Sequence, residues 1–366
     1  MSSETLRRAI ALCAEFLSGN WTSENAVEAK LLPGVHSNLT VLCSLTDEYR
    51  DEQTFPWDVV VRQIFGKHVL QTMDVNSETL AYAALANAGI GPKLLGVFED
   101  GRIEEFINGR HLLAEELYNP VVLTAIAKGL ARMHSLELPL RRSPKIFEGR
   151  LRNYVSLGES SVRHSSFVKD VRESCPELAE KLEDILKMDI TSSLDSVFMN
   201  LSTIPSRVVC LTHVDHHVGN IMVKNKKEAC DITEDDLVNI DIELGCYFYR
   251  GHDIGFILHE RAFHKQGKLA EDLEHLFIRE YLSKWIKLNP KKYDEQLDTF
   301  ENVLLEMHFG SLVTGHYLLI QTLKKIVEEL SAIDIAQLDR LLRRIEVDSE
   351  RKEKAFLLLK AMSKKC

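Results

Sequence analysis

No apolar run in this 366-residue chain reaches the roughly 18 residues that a membrane-spanning helix needs, so no integral membrane segment is expected. The seven cysteines, at 13, 43, 175, 210, 230, 246 and 366, include no CxxC pair, and several lie inside apolar runs. That spacing argues against a disulfide scaffold and for reduced thiols in a cytoplasmic protein. Positive charge is in deficit, with 45 Lys and Arg against 55 Asp and Glu and a formal net charge of -10. A nucleic-acid or anionic-membrane surface is thereby disfavoured, whereas an acidic field suits a cationic substrate. Low-complexity tracts and internal repeats are absent between Leu136 and Ser206, the least informative part of the chain. The first helix-like segment, Leu6 to Leu17, carries Arg7, Arg8 and Glu15 and no clear cleavage site, which speaks against a signal peptide. The terminal Lys364-Lys365-Cys366 is not a prenylation box.

A chain of this length that is 45% apolar can bury a large core or two packed lobes. Leu6, Ile10, Cys13, Ala14 and Leu17 predict an amphipathic helix ending at Gly19. Val27 to Leu32 and Asn38 to Leu45 read as strands joined by Pro33-Gly34-Val35-His36-Ser37, a turn whose amides and Ser37 hydroxyl suit phosphate oxygens. Trp57 to Phe65 is a strand with one cation, Arg62, in an apolar run; an unpaired buried guanidinium is costly, so Arg62 must meet a partner or ligand. Asn76 to Leu85 opens with a capping signature and sets Glu78 in a first helical turn. Gly91 to Phe98 and Gly101 to Ile107 predict a strand pair, and Asn119-Pro120 opens a helix through His134 with Val122, Leu123, Ile126, Leu130 and Met133 as its core face.

The most informative stretch runs from Arg207 to Glu260. The β-branched run at Val208 and Val209 predicts a buried strand that delivers His213-x-Asp215-x-x-x-x-Asn220, and a second apolar run from Leu237 ends in Asp241-x-Glu243. An Asp and an Asn from one loop, with an Asp and a Glu from the other, form the donor set that phosphoryl transfer needs. Asp215 would accept the proton of an attacking hydroxyl, and Asn220, Asp241 and Glu243 are hard oxygen ligands for Mg²⁺. The residues alone leave two alternatives open: His213, His216 and His217 with Asp215 would also suit a transition metal, and Asp241 with Glu243 would also suit an exposed strand end.

This stretch resembles the eukaryotic choline and ethanolamine kinases, which have a protein-kinase-like fold. Their catalytic loop matches His213 to Asn220, and their metal-binding segment matches Ile240-Asp241-x-Glu243. Tyr249-Arg250-Gly251-His252-Asp253-Ile254-Gly255 is similar to their YRGFDIG, and Gly91 to Gly96 and Gly101 to Ile107 are similar to their GPKLYG and GRLEQFI. The resemblance implies an α/β (α+β) two-lobed fold, with a small antiparallel-sheet lobe over 1–107 and a large helical lobe over 108–366. It implies phosphorylation of choline or ethanolamine with ATP and Mg²⁺, the first step towards phosphatidylcholine or phosphatidylethanolamine. Ser37, Asn38 and Arg62 would hold phosphates, Glu78 would pair with Arg62, and main-chain groups of Glu105 and Phe106 would meet adenine. Asp253 would brace the catalytic loop, assisted by Arg250 and His213, and Glu260 with Tyr317 would face the cationic head.

The chain departs from that pattern where the amine would sit. Thr314 and Tyr317 stand at the positions of two family tryptophans, Ile335 or a neighbour replaces a later aromatic, and Val214 replaces an asparagine. Ile242 and Leu244 stand in for further aromatics. Each lost aromatic face removes about 0.5 to 2 kcal/mol of cation–π attraction, so these changes bear on which amine is taken rather than on the chemistry. Another amine-bearing alcohol, aminoglycoside-like, is therefore the rival substrate, and a catalytically silent binding protein is the rival class. A homodimer is left open.

Overall fold

A computed structural model of the chain describes residues 2–32, 38–64, 70, 74–164, 187–204, 208–264 and 271–328, with 169, 172, 173, 176, 179, 180 and 183. Five strands, β1 (Val27–Leu31), β2 (Asn38–Leu45), β3 (Asp58–Ile64), β4 (Leu94–Phe98) and β5 (Gly101–Glu105), form an antiparallel sheet in the order β1-β2-β3-β5-β4. Period-two alternation turns Val41, Cys43 and Leu45 of β2, Val59 and Val61 of β3 and Ile103 of β5 into one apolar cluster. Helix α1 (Ser2–Phe16) covers it with Ala9 and Cys13. Helix α2 (Val75–Asn87) begins one residue before the predicted start, because Asp74 rather than Asn76 caps it by accepting from the Ser77 amide at 2.8 Å.

The strand β5 ends at Glu105, and β6 (Gly109–His111) already belongs to a second sheet, β6-β8-β9, with β8 (Ile221–Lys224) and β9 (Leu237–Asn239). A two-stranded ribbon pairs β7 (Val209–Thr212) with β10 (Cys246–Tyr249). Around them pack α3 (Pro120–His134), α4 (Lys145–His164), α5 (Ile190–Leu201), α6 (Arg250–His264), α7 (Glu271–Leu288) and α8 (Phe300–Glu328). Helix α3 starts where Asn119 caps the Val121 amide at 2.9 Å with Pro120 behind it, and its expected stripe is buried. Within α8, Phe300 to Lys324 is long and apolar enough to cross a membrane by composition, contrary to the run-length reading, but nearly all of it is buried as the central helix of the core. Helices α6 and α8 touch backbone to backbone. A methyl on Gly251 would overlap the Glu306 carbonyl, and one on Gly255 would overlap the Ser311 amide.

Candidate active site

The ribbon β7–β10 projects the catalytic loop, and buried side chains hold it from beneath. The Asp253 carboxylate, from the first turn of α6, accepts the His213 amide at 2.7 Å and the Val214 amide at 2.9 Å and meets His134 Nε2 at 3.2 Å. The His252 Nε2 meets the Val214 carbonyl at 2.9 Å. These contacts hold Val214 at φ 73°, a left-handed conformation that a β-branched residue adopts only when its surroundings force it. Burial pushes the Asp253 carboxyl up, but the His134 hydrogen bond and the neighbouring imidazoles outweigh it and hold the group well below the usual carboxylate range.

The imidazoles of the loop each have a protein partner. His213 Nε2 meets the Ile240 carbonyl at 2.8 Å, His216 Nε2 meets Asn239 Oδ1 at 3.1 Å, and His217 Nδ1 accepts the Gly219 amide at 3.0 Å. Two of these bonds tie the loop to the end of β9, and burial lowers the His216 pKa to about 3. Through these bonds the imidazoles act as ties within the protein.

Asp215 and Asn220 lie together, with Asn220 Nδ2 donating to the Asp215 carbonyl at 2.9 Å and standing 3.4 Å from its Oδ2. The Ile240 amide donates to the Asn220 carbonyl at 3.0 Å, which brings Asp241 beside this loop. Asp241 takes the left-handed conformation, φ 58° and ψ 47°, and opens the short turn Ile242–Leu244 that carries Glu243. With its amide nitrogen anchored, Asn220 has an amide oxygen to offer, and Asp241 already holds a cation, the Arg62 guanidinium of β3. Hard oxygens around a position that attracts positive charge fit Mg²⁺. Arg62 Nε is buried without a hydrogen-bond partner, although it stands 3.2 Å from Glu104, and such a donor fits a phosphate oxygen.

The expected Arg62–Glu78 pair is corrected. Arg62 and Arg102 are cross-strand neighbours on β3 and β5, and Glu104 Oε1 stands 3.2 Å from Arg62 Nε and 2.6 Å from Arg102 Nε. Glu78 pairs with Arg102 Nη1 at 2.6 Å, so two glutamates and two arginines alternate from α2 to Asp241. Burial pushes Glu104 up, yet the charges of Arg62 and Arg102 more than offset it and leave the carboxyl lowered. Arg102-x-Glu104 in an alternating strand was the available signal, since both share the face that Arg62 uses. The Glu105 amide donates to the Lys93 carbonyl at 2.9 Å, which leaves the carbonyl of its main chain for the expected adenine contact; Phe106 directly follows the strand. Ser37 and the side chains of Asn38 and Glu260 lie outside the described residues, as does Ile335. Arg250 does not face the loop. It is buried against Asp298 and Glu306, 2.7 Å from the latter, with Trp285 beneath it, and ties α6 to α8.

At the other side of Asp215, Tyr317 of α8 is buried in the cluster that includes Val214 and Leu244, and Tyr154 of α4 packs against it with ring centroids 5.8 Å apart. Burial, then the charge of Asp215, pushes the Tyr317 hydroxyl up. The Thr314 hydroxyl donates to the Gly310 carbonyl at 3.0 Å inside the helix. Tyr249 donates to Glu148 at 2.9 Å, and neither Tyr154 nor Glu148 carried a signal in the sequence.

An antiparallel sheet set on a helical lobe, with the buried Arg62 of the sheet reaching the Asp241 carboxylate of the other lobe, is the architecture of protein-kinase-like phosphotransferases. Known proteins narrow the class. The family model for choline/ethanolamine kinase matches residues 29–347, and the chain belongs to that family. It is 29% identical over 332 residues to human choline/ethanolamine kinase, covering 87% of this chain and 79% of the relative. A probable ethanolamine kinase of Arabidopsis thaliana is 25% identical over 360 residues, covering 96% and 87%. Among solved structures, a choline kinase from Cryptosporidium parvum superposes with TM-score 0.64 at 18% identity over 97% of this chain and 98% of that one. An ethanolamine kinase from Plasmodium vivax gives 0.59 at 19% identity over 90% and 84%. These two likenesses carry the protein-kinase-like fold.

Proposed function

We propose that the chain phosphorylates the hydroxyl of a small amino alcohol, choline or ethanolamine, using ATP and Mg²⁺, and so supplies the phosphomonoester that begins phosphatidylcholine or phosphatidylethanolamine synthesis in the cytoplasm. The observation that carries this reading is the meeting of Asp215, Asn220 and Asp241, joined by the Ile240–Asn220 and Asn220–Asp215 hydrogen bonds. Bound Mg²⁺ supplies charge neutralisation at the transferred phosphoryl group. Asp215 orients the substrate hydroxyl and accepts its proton. The Asn220 amide oxygen, Asp241 and Glu243 would hold the metal, and Arg62, whose buried Nε–H makes no hydrogen bond, would turn it to a phosphate oxygen. Arg62 meets Asp241 through Nη1, so a bound metal would share that carboxylate with the guanidinium. The net charge of -10 supports a cationic substrate.

Calorimetric titration of ATP with and without Mg²⁺, followed by ADP release across a panel of amines, tests the reading. Metal-dependent nucleotide affinity and release stimulated by choline or ethanolamine are expected. Release stimulated only by larger amine-bearing alcohols would move the substrate, and no metal-dependent affinity would overturn the proposal.

A further inference from the structure

An ammonium group of the chain's own stands against the aromatic pair Tyr154–Tyr317. Lys324 Nζ of α8 stands 5.1 Å from the centroid of the Tyr154 ring, inside the range where a cation is attracted to an aromatic face. Gly158 lies one turn beyond Tyr154 on α4. A methyl there would overlap Ile320, one turn before Lys324, and only touch Lys324 Cδ at 3.5 Å, so the bare glycine lets α8 pack close against α4 beside the lysine stem. Tyr154 in turn packs on Tyr317, which shares a buried cluster with Val214 and Leu244, the chain neighbours of Asp215 and Glu243. The aromatic pair therefore adjoins the reacting carboxylates, and Lys324 occupies one of its faces.

The consequence differs for the two amines. A quaternary ammonium has no N–H and is held through aromatic faces, so it loses the Tyr154 face to Lys324. A primary ammonium has three N–H donors and is held by hydrogen bonds to carboxylate oxygens, which need no aromatic face. We propose that Lys324 is a specificity-determining residue, a tethered cation that turns this pocket away from quaternary ammonium and towards a primary amino alcohol. This rests on the amino-alcohol reading above and names the substrate class within it.

The test uses the full chain, with Lys324→Ala to clear the face and Lys324→Arg to retain the cation. Tetramethylammonium is titrated calorimetrically into each protein, and kcat and KM are measured for choline and ethanolamine. Lys324→Ala should bind tetramethylammonium and lower the KM for choline by roughly tenfold, with kcat and the KM for ethanolamine within about twofold of the parent, whereas Lys324→Arg should behave as the parent. Equal tetramethylammonium affinity in the parent and Lys324→Ala overturns the inference, even if both amines are phosphorylated. Tighter tetramethylammonium in Lys324→Ala without turnover of either amine supports the tethered cation and removes the functional reading instead.

Discussion

Replacing Asp253 by Asn separates support of the catalytic loop from chemistry. The carboxylate accepts two buried amides, at 2.7 and 2.9 Å, and meets His134 at 3.2 Å. Asparagine keeps one acceptor oxygen and presents an NH₂ group where the second was. One buried amide then loses its acceptor, which costs about 1 to 3 kcal/mol, and the remaining bond loses its charge-assisted part, about 1 kcal/mol more. Removing a buried charge returns some of this, so the net loss of stability should be about 1 to 3 kcal/mol. The same change releases Val214 from its left-handed conformation. Asp215 follows it in the chain, and a shift of about 1 Å at a reacting group costs on the order of 100-fold in rate. Urea unfolding by tryptophan fluorescence and amine-dependent ADP release would be measured together. A kcat reduced about 100-fold, with the KM for ATP within about threefold, is expected. A variant with parental kcat and a parental unfolding midpoint would refute the argument that Asp253 holds the loop.

Burial lowers the pKa of His134, His216 and His252, so their contribution to stability is present above the unfolded value near 6.5 and is lost as pH falls below it, for His216 down to about 3. Urea midpoints should therefore drop between pH 7 and 5, each histidine contributing at most about 1.4 kcal/mol per pH unit; a flat or rising midpoint would contradict their burial in the neutral form. Gly251→Ala should destabilise by about 1 to 3 kcal/mol through overlap with the Glu306 carbonyl, whereas Gly129→Ala, with nothing within 4 Å of the added methyl, should be neutral or stabilising by up to about 1 kcal/mol. Thermal unfolding of the pair distinguishes close packing of α6 on α8 from a general intolerance of alanine.

What was legible in the sequence is what is local. Asn119 and Pro120 mark the start of α3 because a cap and its helix are adjacent residues, and His213 to Asn220 announces its chemistry because the loop's spacing carries the geometry. Partners across the sheet were not legible, since Arg62 and Arg102 oppose each other only through the β3–β5 register and Glu104 bridges them only then. That the Glu105 amide is taken was not legible either, because the Lys93 carbonyl reaches it from just before β4, beside an irregular step between Leu94 and Gly96. Lys324 and Tyr154 are far apart in sequence and meet where α8 packs close on α4, with Gly158 admitting Ile320, a contact that no periodicity reports. The apolar length of α8 has the same origin, because a helix surrounded by protein needs no polar face.

The central claim is that the catalytic loop and the turn after β9 form one phosphoryl-transfer site with Asp215 as the proton acceptor. The most direct measurement is ADP formation with ATP, Mg²⁺ and choline or ethanolamine by the parent chain and by Asp215→Asn at matched fold and nucleotide affinity. The account predicts amine-dependent turnover in the parent and a loss of about 100-fold or more in kcat in the variant, the scale general-base removal commands. Undiminished turnover by Asp215→Asn would contradict it.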